Sequence, residues 1–404
     1  MEDQIAIGNG DQDPQKQAGE AGAGCFQRGR DARPTGYWSR DVFLVVAGAP
    51  TPARGNLIRS VEDFHGAGRQ GNLVEADGAA SSASTRSWLP SGAIVLAPMD
   101  GVTDHVYRAL ITSRARPGRI SLCVSEFIRV TDRPISDAAI LRGCPELSRG
   151  GTTQSGVPVM VQLLGGRAEP LAASARRAVQ LGAFGIDLNF GCPAKLVNRH
   201  DGGAALLKAP ERIEGIVLRV RQAVPLDHPV SVKIRLGWES VDEVVPIAVA
   251  AERGGASWLT IHGRTKAQMY GPPADWEAIG RARASVSVDV VANGDLSTDS
   301  SLERCRDASG CTHFMLGRGP MGRPSLLCGA ANGSEAQQLQ MLTSMLVEYL
   351  ERLSAAGNPE YRQVARVKQW LSLGKTQNAD VAPVFERIKR LSKRAEVLAA
   401  LSSG

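Results

Sequence analysis

Eight short apolar segments recur between residues 94 and 316, and most are followed by a stretch with helical periodicity. Apolar runs of about four to eight residues are typical of buried strands, and strands that alternate with amphipathic helices form parallel sheets. Eight such units in about 240 residues are what a (β/α)8 barrel, or TIM barrel, requires. The predicted strands are Ile94–Ala97, Leu122–Glu126, Val157–Gln162, Phe184–Asn189, Val230–Ile234, Trp258–His262, Val288–Ala292 and His313–Leu316.

Helices are predicted between these strands from the spacing of apolar residues. A doubly wound open sheet is the alternative α/β fold, and it is disfavoured because no G-x-G-x-x-G sequence follows the first strand. The predicted barrel helices are Asp104–Ser113, Pro170–Leu181, Pro210–Ala223, Val241–Arg253, Asp275–Arg283 and Thr298–Asp307.

The pattern changes at both ends of the barrel. Residues 1–90 are rich in Gly, Ala, Gln, Ser and Arg and cannot bury enough apolar area to offset the entropy of ordering, so we expect a disordered extension, with order beginning at Gly92. We predict a barrel domain at 91–332 and an all-helical domain at 333–404. The helices predicted in the second domain are Ala336–Ala355, Glu360–Leu373 and Val381–Leu401, with a break at Gly357-Asn358-Pro359.

Composition narrows the class of protein. The chain has 404 residues, 43% of them hydrophobic and 22% charged, which is typical of globular proteins. No apolar run approaches the roughly 18 residues of a membrane span, and no secretory signal opens the chain. Its seven cysteines include no C-x-x-C pair, so neither a disulfide framework nor a structural zinc site is indicated. We expect a cytoplasmic monomer without a metal and without membrane contact.

Cationic residues are concentrated near the C-terminus. Residues 362–394 hold nine Lys or Arg against two acids, although the whole chain carries a net charge of only +6. Such residues often form only a solvated face, but their helical spacing also suits a phosphate backbone. The nine are Arg362, Arg366, Lys368, Lys375, Arg387, Lys389, Arg390, Lys393 and Arg394.

One cysteine stands where a barrel carries its chemistry. The segment from Asp187 to Lys195 follows an apolar run, and its Gly-Cys-Pro step must turn sharply because Gly tolerates positive φ and Pro restricts φ. Cys192 is thereby held after the C-terminal end of a strand, three residues from Asn189 and from Lys195. A small buried hydrophobe is the ordinary role of a cysteine, but here we expect a proton donor.

Polar residues follow every predicted strand, and the strand ends of a barrel converge on one face. The tripeptides Asn293-Gly294-Asp295 and Gly317-Arg318-Gly319 come after the last two strands, where barrels commonly bind phosphate. Gln162 offers an amide for the edge of a ring, and Lys233 and His262 offer cations where a reduced flavin is negative. These features together predict an FMN site.

The same residues give the chain a family resemblance. The chain resembles the tRNA-dihydrouridine synthase family over roughly residues 93–395, and most closely its C subfamily. The motifs that carry the resemblance are Ala97-Pro98-Met99-Asp100-Gly101-Val102, Val161-Gln162-Leu163-Leu164-Gly165, Asp187-Leu188-Asn189-Phe190-Gly191-Cys192-Pro193, Ser231-Val232-Lys233-Ile234-Arg235-Leu236-Gly237-Trp238, His262-Gly263-Arg264-Thr265-Lys266, Ala292-Asn293-Gly294-Asp295 and Gly317-Arg318-Gly319, with Ser125-Glu126-Phe127-Ile128-Arg129-Val130 and Val364-Ala365-Arg366-Val367-Lys368-Gln369-Trp370-Leu371 for the subfamily.

The resemblance implies an NADPH- and FMN-dependent enzyme that reduces the C5–C6 double bond of a D-loop uridine in tRNA, at position 16 for this subfamily. It makes Cys192 the acid that protonates C5, for which the thiol must be neutral. The FMN-binding residues that it implies are Pro98, Met99, Asp100, Gln162, Lys233, His262, Asn293, Gly294, Asp295, Gly317 and Arg318. The candidate tRNA contacts are Arg129, Asn189, Tyr270, Arg366, Lys368 and Lys389.

Some residues differ from the family pattern, and the sequence leaves rival functions open. Phe190 stands where a smaller residue or Cys is expected, and Arg199-His200-Asp201 stands where the family is rich in Gly and Ser. The rival functions are the same reaction at another tRNA position, an FMN-dependent barrel oxidoreductase acting on a free pyrimidine, and a non-catalytic RNA-binding protein. The basic helices argue against a free pyrimidine, and the intact Cys192, Lys233 and His262 argue against an idle protein.

Overall fold

The computed structural model of the chain describes residues 87–329 and 334–402. Eight parallel strands close into a barrel, because β2 pairs with both β1 and β4 and the remaining strands follow in chain order back to β1. All eight predicted strands are present and begin within two residues of the predicted positions, and a short ninth strand, β3, pairs with β4. The strands are β1 Ile94–Leu96, β2 Leu122–Val124, β3 Ile128–Arg129, β4 Val159–Leu164, β5 Ile186–Asn189, β6 Val230–Arg235, β7 Trp258–His262, β8 Asp289–Asn293 and β9 His313–Leu316.

Helices surround the barrel as the sequence predicts. Alternate strand residues point outward and pack with these helices in one large core, which includes Leu96, Val161 and Leu188. The helices are α1 His105–Arg114, α2 Asp137–Gly143, α3 Ala168–Gln180, α4 Lys195–Arg199, α5 Pro210–Ala223, α6 Val244–Arg253, α7 Trp276–Ala284 and α8 Asp299–Ser309, with 3₁₀ helices at Pro145–Arg149, Gly203–Lys208 and Val241–Glu243.

A second, smaller core fills the N-terminal part of the barrel interior, which we call the floor. It contains inward residues such as Val95, Met160 and Met315. Leu89 belongs to this core and is 5% exposed, with Trp88 packed against it. Packing therefore begins before Gly92. The predicted extension otherwise lies at residues 1–86, outside the described residues.

Further helices follow the barrel, as predicted. The single helix predicted at Val381–Leu401 is wrong, because two helices occupy that range. The second begins where the backbone N–H groups of Lys393 and Arg394 donate to the carboxylates of Glu396 and Glu360, at 3.4 and 2.7 Å, instead of continuing the helical pattern. The helices are α9 Gly319–Gly322, α10 Ser325–Cys328, α11 Glu335–Ala355, α12 Glu360–Gly374, α13 Val381–Ile388 and α14 Arg394–Ser402.

The later helices share a core with the barrel. Trp370 of α12 packs against Tyr107 of α1 and Tyr349 of α11, with ring centroids 4.8 and 5.3 Å apart. Its indole N–H donates to the carbonyl oxygen of Met321 in α9 at 3.0 Å. The predicted domain boundary at 332/333 falls among residues 330–333, outside the described part, and stays a prediction. Across the two described ranges, no helix is both long enough and apolar enough to cross a membrane.

Candidate active site

Polar side chains replace apolar ones toward the C-terminal ends of the strands, which we call the mouth of the barrel. Gln162, Asp187, Ser231 and Thr260 are each 1% exposed or less. One step closer to the mouth are Asn189, Lys233, His262 and Asn293, of which Asn189 is in register with Lys233 and His262 with Asn293. The barrel therefore brings the predicted inward residues together.

The loop that carries Cys192 is held by Asn189. The Asn189 Oδ1 atom accepts hydrogen bonds from the backbone N–H groups of Gly191 and Cys192, at 3.0 and 2.9 Å. Gly203 lies close behind, because a Cβ atom there would be 2.8 Å from the Cys192 carbonyl oxygen and 3.1 Å from the Cys192 Cβ, and its φ is +60°. Burial raises the pKa of the partly exposed Cys192 thiol above its ordinary value. The thiol is neutral at physiological pH.

Lys233 and His262 form the cationic and neutral sides of the mouth. Burial, helped by the neighbouring Arg235, lowers the pKa of Lys233 to about 8. Its Nζ atom has one long contact, 3.4 Å from Asn293 Oδ1. Burial and the charge of Lys233 hold the pKa of His262 well below its usual range, so that the ring is neutral. The expectation that His262 offers a cation is therefore wrong. Its buried Nδ1 atom has no hydrogen-bond partner within the described residues.

Gln162 is engaged on both sides. Its Nε2 atom donates to Asp187 Oδ2 at 2.7 Å, and its Oε1 atom accepts from Asn189 Nδ2 at 2.9 Å. The other oxygen of Asp187 accepts from Ser231 Oγ at 2.6 Å. Burial raises the pKa of Asp187, while these two hydrogen bonds act to lower it. Sequence reasoning did not select Asp187 as a site residue. Its two-residue spacing from Asn189, which puts both side chains on the same face of β5, was the available signal.

The predicted phosphate-binding segments lie together after β8 and β9. Gly294 has a φ of +120°, which disfavours any side chain there. Asp295 pairs with Arg264, accepts from the Ala274 N–H at 2.8 Å and lies 3.7 Å from Arg318. Its carboxylate therefore orients two guanidinium groups. Arg264, which is not among the predicted FMN-binding residues, is fully buried, and its Nη1 atom has no partner in the described chain.

The segment after β1 completes the mouth. The backbone N–H of Met99 donates to Thr103 Oγ1 at 2.7 Å, and that of Val102 donates to Glu126 Oε1 at 2.9 Å. A Cβ atom on Gly317 would lie 3.4 Å from the Met99 sulfur, so this segment and the β9 end face each other. Pro98 and Met99 are partly buried, and Asp100 is exposed.

Two of the predicted tRNA contacts lie near the mouth, apart from Asn189. Tyr270 is 52% exposed, and its ring centroid is 6.5 Å from that of His262. The guanidinium groups of Arg235 and Arg318 lie 5.1 and 5.7 Å from the Tyr270 ring centroid. Arg129 of β3 lines a neighbouring cleft of about 290 Å³ together with His200.

The tRNA contacts predicted on the helices that follow the barrel have different surroundings. Arg366 lies 3.4 Å from Asp104 and 4.0 Å from Glu126, so it contacts the barrel. Lys389 pairs with Glu386. Lys368 is partly exposed, and its two-residue separation from Arg366 turns it by about 200° around the helix axis. Phe190, an unexpected residue in sequence, is 1% exposed and belongs to the core.

The closed barrel, the neutral thiol and the lysine and histidine at the mouth define the chain as a barrel oxidoreductase of the flavin-using kind. The sequence profile of the Dihydrouridine synthase (Dus) family matches residues 95–403. The chain belongs to the dihydrouridine synthase family.

Known relatives agree with this assignment. A protein from Shewanella oneidensis named tRNA-dihydrouridine(16) synthase is 40% identical over 312 residues, which cover 76% of this chain and 96% of the relative. A protein of the same name from Pseudomonas putida is 42% identical over 302 residues, which cover 74% and 92%. Among solved structures, an old yellow enzyme homologue from Zymomonas mobilis is similar at 15% identity and a TM-score of 0.42, over 58% of this chain and 86% of that chain.

Proposed function

We propose that this protein is a tRNA-dihydrouridine synthase that uses FMN and NADPH to reduce the C5–C6 double bond of uridine 16 in the tRNA D-loop. The observation that carries the proposal is the loop of Cys192, which Asn189 holds at the barrel mouth, where Lys233 and His262 also lie. The names of the two relatives support tRNA as the substrate and position 16 as the target.

The residues at the mouth fit FMN. A half-buried ammonium with a single long hydrogen bond and a buried ring nitrogen without a partner are groups that an anionic, hydrogen-bonding ring would satisfy. Arg318 and the backbone around Gly294 and Gly317 suit a phosphate group. The proposed FMN-binding residues are Pro98, Met99, Asp100, Gln162, Lys233, His262, Asn293, Gly294, Asp295, Gly317 and Arg318.

The chain's own residues supply the proton and the orientation. When bound and reduced, FMN provides the hydride that C6 of uracil receives. Cys192 would donate the thiol proton to C5, so that the C5–C6 double bond becomes a single bond, and the resulting thiolate would regain a proton from solvent. Overall, NADPH is oxidised to NADP⁺ and one solvent proton is consumed. The raised pKa of Cys192 keeps that proton on sulfur at neutral pH. The Lys233 cation stabilises negative charge at the mouth.

The tRNA must present its target base outside the stack, which costs a few kcal/mol and least in a loop. Tyr270 offers an exposed aromatic face beside two guanidinium groups, a combination suited to a nucleic acid. The cationic helices suit the tRNA backbone. We include Arg129, Asn189, Tyr270, Arg366, Lys368 and Lys389 among the proposed tRNA contacts.

The test uses purified protein, FMN, NADPH and unmodified tRNA, with dihydrouridine mapped along the tRNA. We expect the product at position 16. Cys192→Ala should bind FMN normally and form at least about a hundredfold less product, because the general acid is lost.

Cys328→Ala is the matched control, since Cys328 is another partly exposed thiol and lies at the end of α10. It should behave like the unaltered protein. Full turnover by Cys192→Ala would refute the role of the thiol, and dihydrouridine at another position would refute position 16.

A further inference from the structure

We infer that Asp187 is a positioning residue that sets the hydrogen-bond polarity of Gln162 and Asn189 and thereby holds the loop carrying Cys192. This inference deepens the proposed function, because it concerns how the proposed acid is kept in place. Asp187 lies one layer below the mouth and is 1% exposed.

The orientation of Asn189 is dictated by the loop. The backbone N–H groups of Gly191 and Cys192 can only donate hydrogen bonds. The Asn189 atom that faces them at 3.0 and 2.9 Å must therefore be the carbonyl oxygen. Its amide nitrogen, a donor, then faces Gln162.

The same logic continues to Asp187. Because Asn189 Nδ2 donates to Gln162, the Gln162 atom at 2.9 Å must be its oxygen, and its Nε2 atom must face the other way. That nitrogen meets Asp187 Oδ2 at 2.7 Å, and an oxygen that faces an N–H group must accept, whether or not the other oxygen of the carboxyl group carries a proton. An acceptor at position 187 is thus required if the Cys192 loop is to be held by an oxygen.

Burial makes this requirement strict. Gln162 and Asp187 are almost inaccessible to solvent, and Asn189 is 8% exposed, so water cannot readily replace a missing partner. If the acceptor at 187 is removed, the Gln162 amide can rotate and present a donor to the Asn189 donor. The Asn189 side chain is then no longer held with its oxygen toward the backbone N–H of Cys192.

Two substitutions at position 187 distinguish the effect of losing the hydrogen-bond acceptor from the effect of changing the side-chain volume. Asp187→Leu is close in size and cannot accept. Asp187→Asn can keep its oxygen toward Gln162, because the Ser231 hydroxyl that now donates to Asp187 can turn and accept from the new amide. Gln162→Leu interrupts the same series of hydrogen bonds at its next member. Ser231→Ala is the matched control, since it removes a neighbour of Asp187 without touching the link to Gln162.

The readout is the rate at which iodoacetamide alkylates Cys192 in the full-length protein, measured by mass spectrometry of the Cys192 peptide. The Cys328 peptide of the same digest serves as the internal reference. We expect Asp187→Leu and Gln162→Leu to raise the Cys192 rate on the order of fivefold, the effect of losing about one hydrogen bond from the held state. Asp187→Asn and Ser231→Ala should stay within about twofold of the unaltered protein.

Equal alkylation of Cys192 in the two Leu variants and the unaltered protein would overturn the inference. An equal rise in Asp187→Asn and Asp187→Leu would also overturn it, because Asn keeps an acceptor at this position and the loss of the acceptor could then not be the cause. If Asp187→Leu fails to fold, Gln162→Leu and Asp187→Asn still decide. Alkylation needs neither FMN nor tRNA, so the failure of unaltered protein to make dihydrouridine would refute the proposed function without altering this result.

Discussion

Among the charged residues at the mouth of the barrel, Lys233 is one whose protonation changes in an accessible pH range. Lys233 has a pKa of about 8, lowered first by burial and then by Arg235, whereas His262 is neutral. Below pH 8 the ammonium is charged and attracts an anionic ligand. As pH rises through 8, that attraction is lost.

FMN affinity should therefore depend on pH. We expect the affinity of FMN-free protein to fall by up to about tenfold between pH 7 and 9.5, as Lys233 loses its proton. Fluorescence titration with FMN measures the change. Lys233→Arg keeps its charge over this range and should flatten the dependence, whereas an identical slope in that variant would assign the effect to another group.

Some residues of the candidate site could be predicted from the sequence, whereas their hydrogen bonds and charge states could not. Cys192, Lys233 and His262 could be selected from the sequence because each lies close to the C-terminal end of a recognisable strand. The link from Asp187 to Gln162 and Ser231 could not, because its partners are 25 and 44 residues away and depend on the register between strands. The charge states also required burial, which no local pattern provides.

At the scale of elements, the pattern of apolar residues predicted the barrel well. Strand β7 and helix α5 have the predicted bounds, because each is a strongly periodic segment with clear ends. The error at Val381–Leu401 has a tertiary cause. Glu360, which is distant in sequence, accepts the N–H of Arg394 and helps to start a new helix there.

Helix α12 should combine two roles that substitutions can separate. Arg366 faces Asp104 and Glu126, so Arg366→Ala leaves two carboxylates without their cation. We expect its melting temperature to fall by about 2–4 °C, equivalent to roughly 1 kcal/mol, and its tRNA affinity to fall too.

Lys368→Ala is the comparison on the same helix. It should leave the melting temperature unchanged and lower the salt dependence of tRNA binding by roughly one phosphate contact. Calorimetry and binding at several salt concentrations measure both effects. An unchanged salt dependence would place the tRNA away from Lys368.

At the scale of the whole molecule, the barrel and the later helices depend on one core. Trp370 is 1% exposed and joins α12 to α1, α9 and α11. Trp370→Ala should cost about 3–5 kcal/mol of unfolding free energy. Hydrogen exchange should show protection falling in the barrel strands and the later helices together.

Tyr361→Ala is the control for that experiment, since Tyr361 lies on the same helix and is 62% exposed. It should change protection little. If Trp370→Ala loosened only the later helices, the barrel would be shown to stand without them.

The floor of the barrel determines from which side substrates can reach the interior polar groups. Leu89 belongs to the apolar core that fills this end of the barrel, and Trp88 and Phe184 pack against that core, so the described chain leaves the interior polar groups to be approached from the mouth. The molecule that delivers electrons and the molecule that receives them must therefore both reach the interior through the mouth of the barrel. We therefore expect the two molecules to occupy the mouth one after the other.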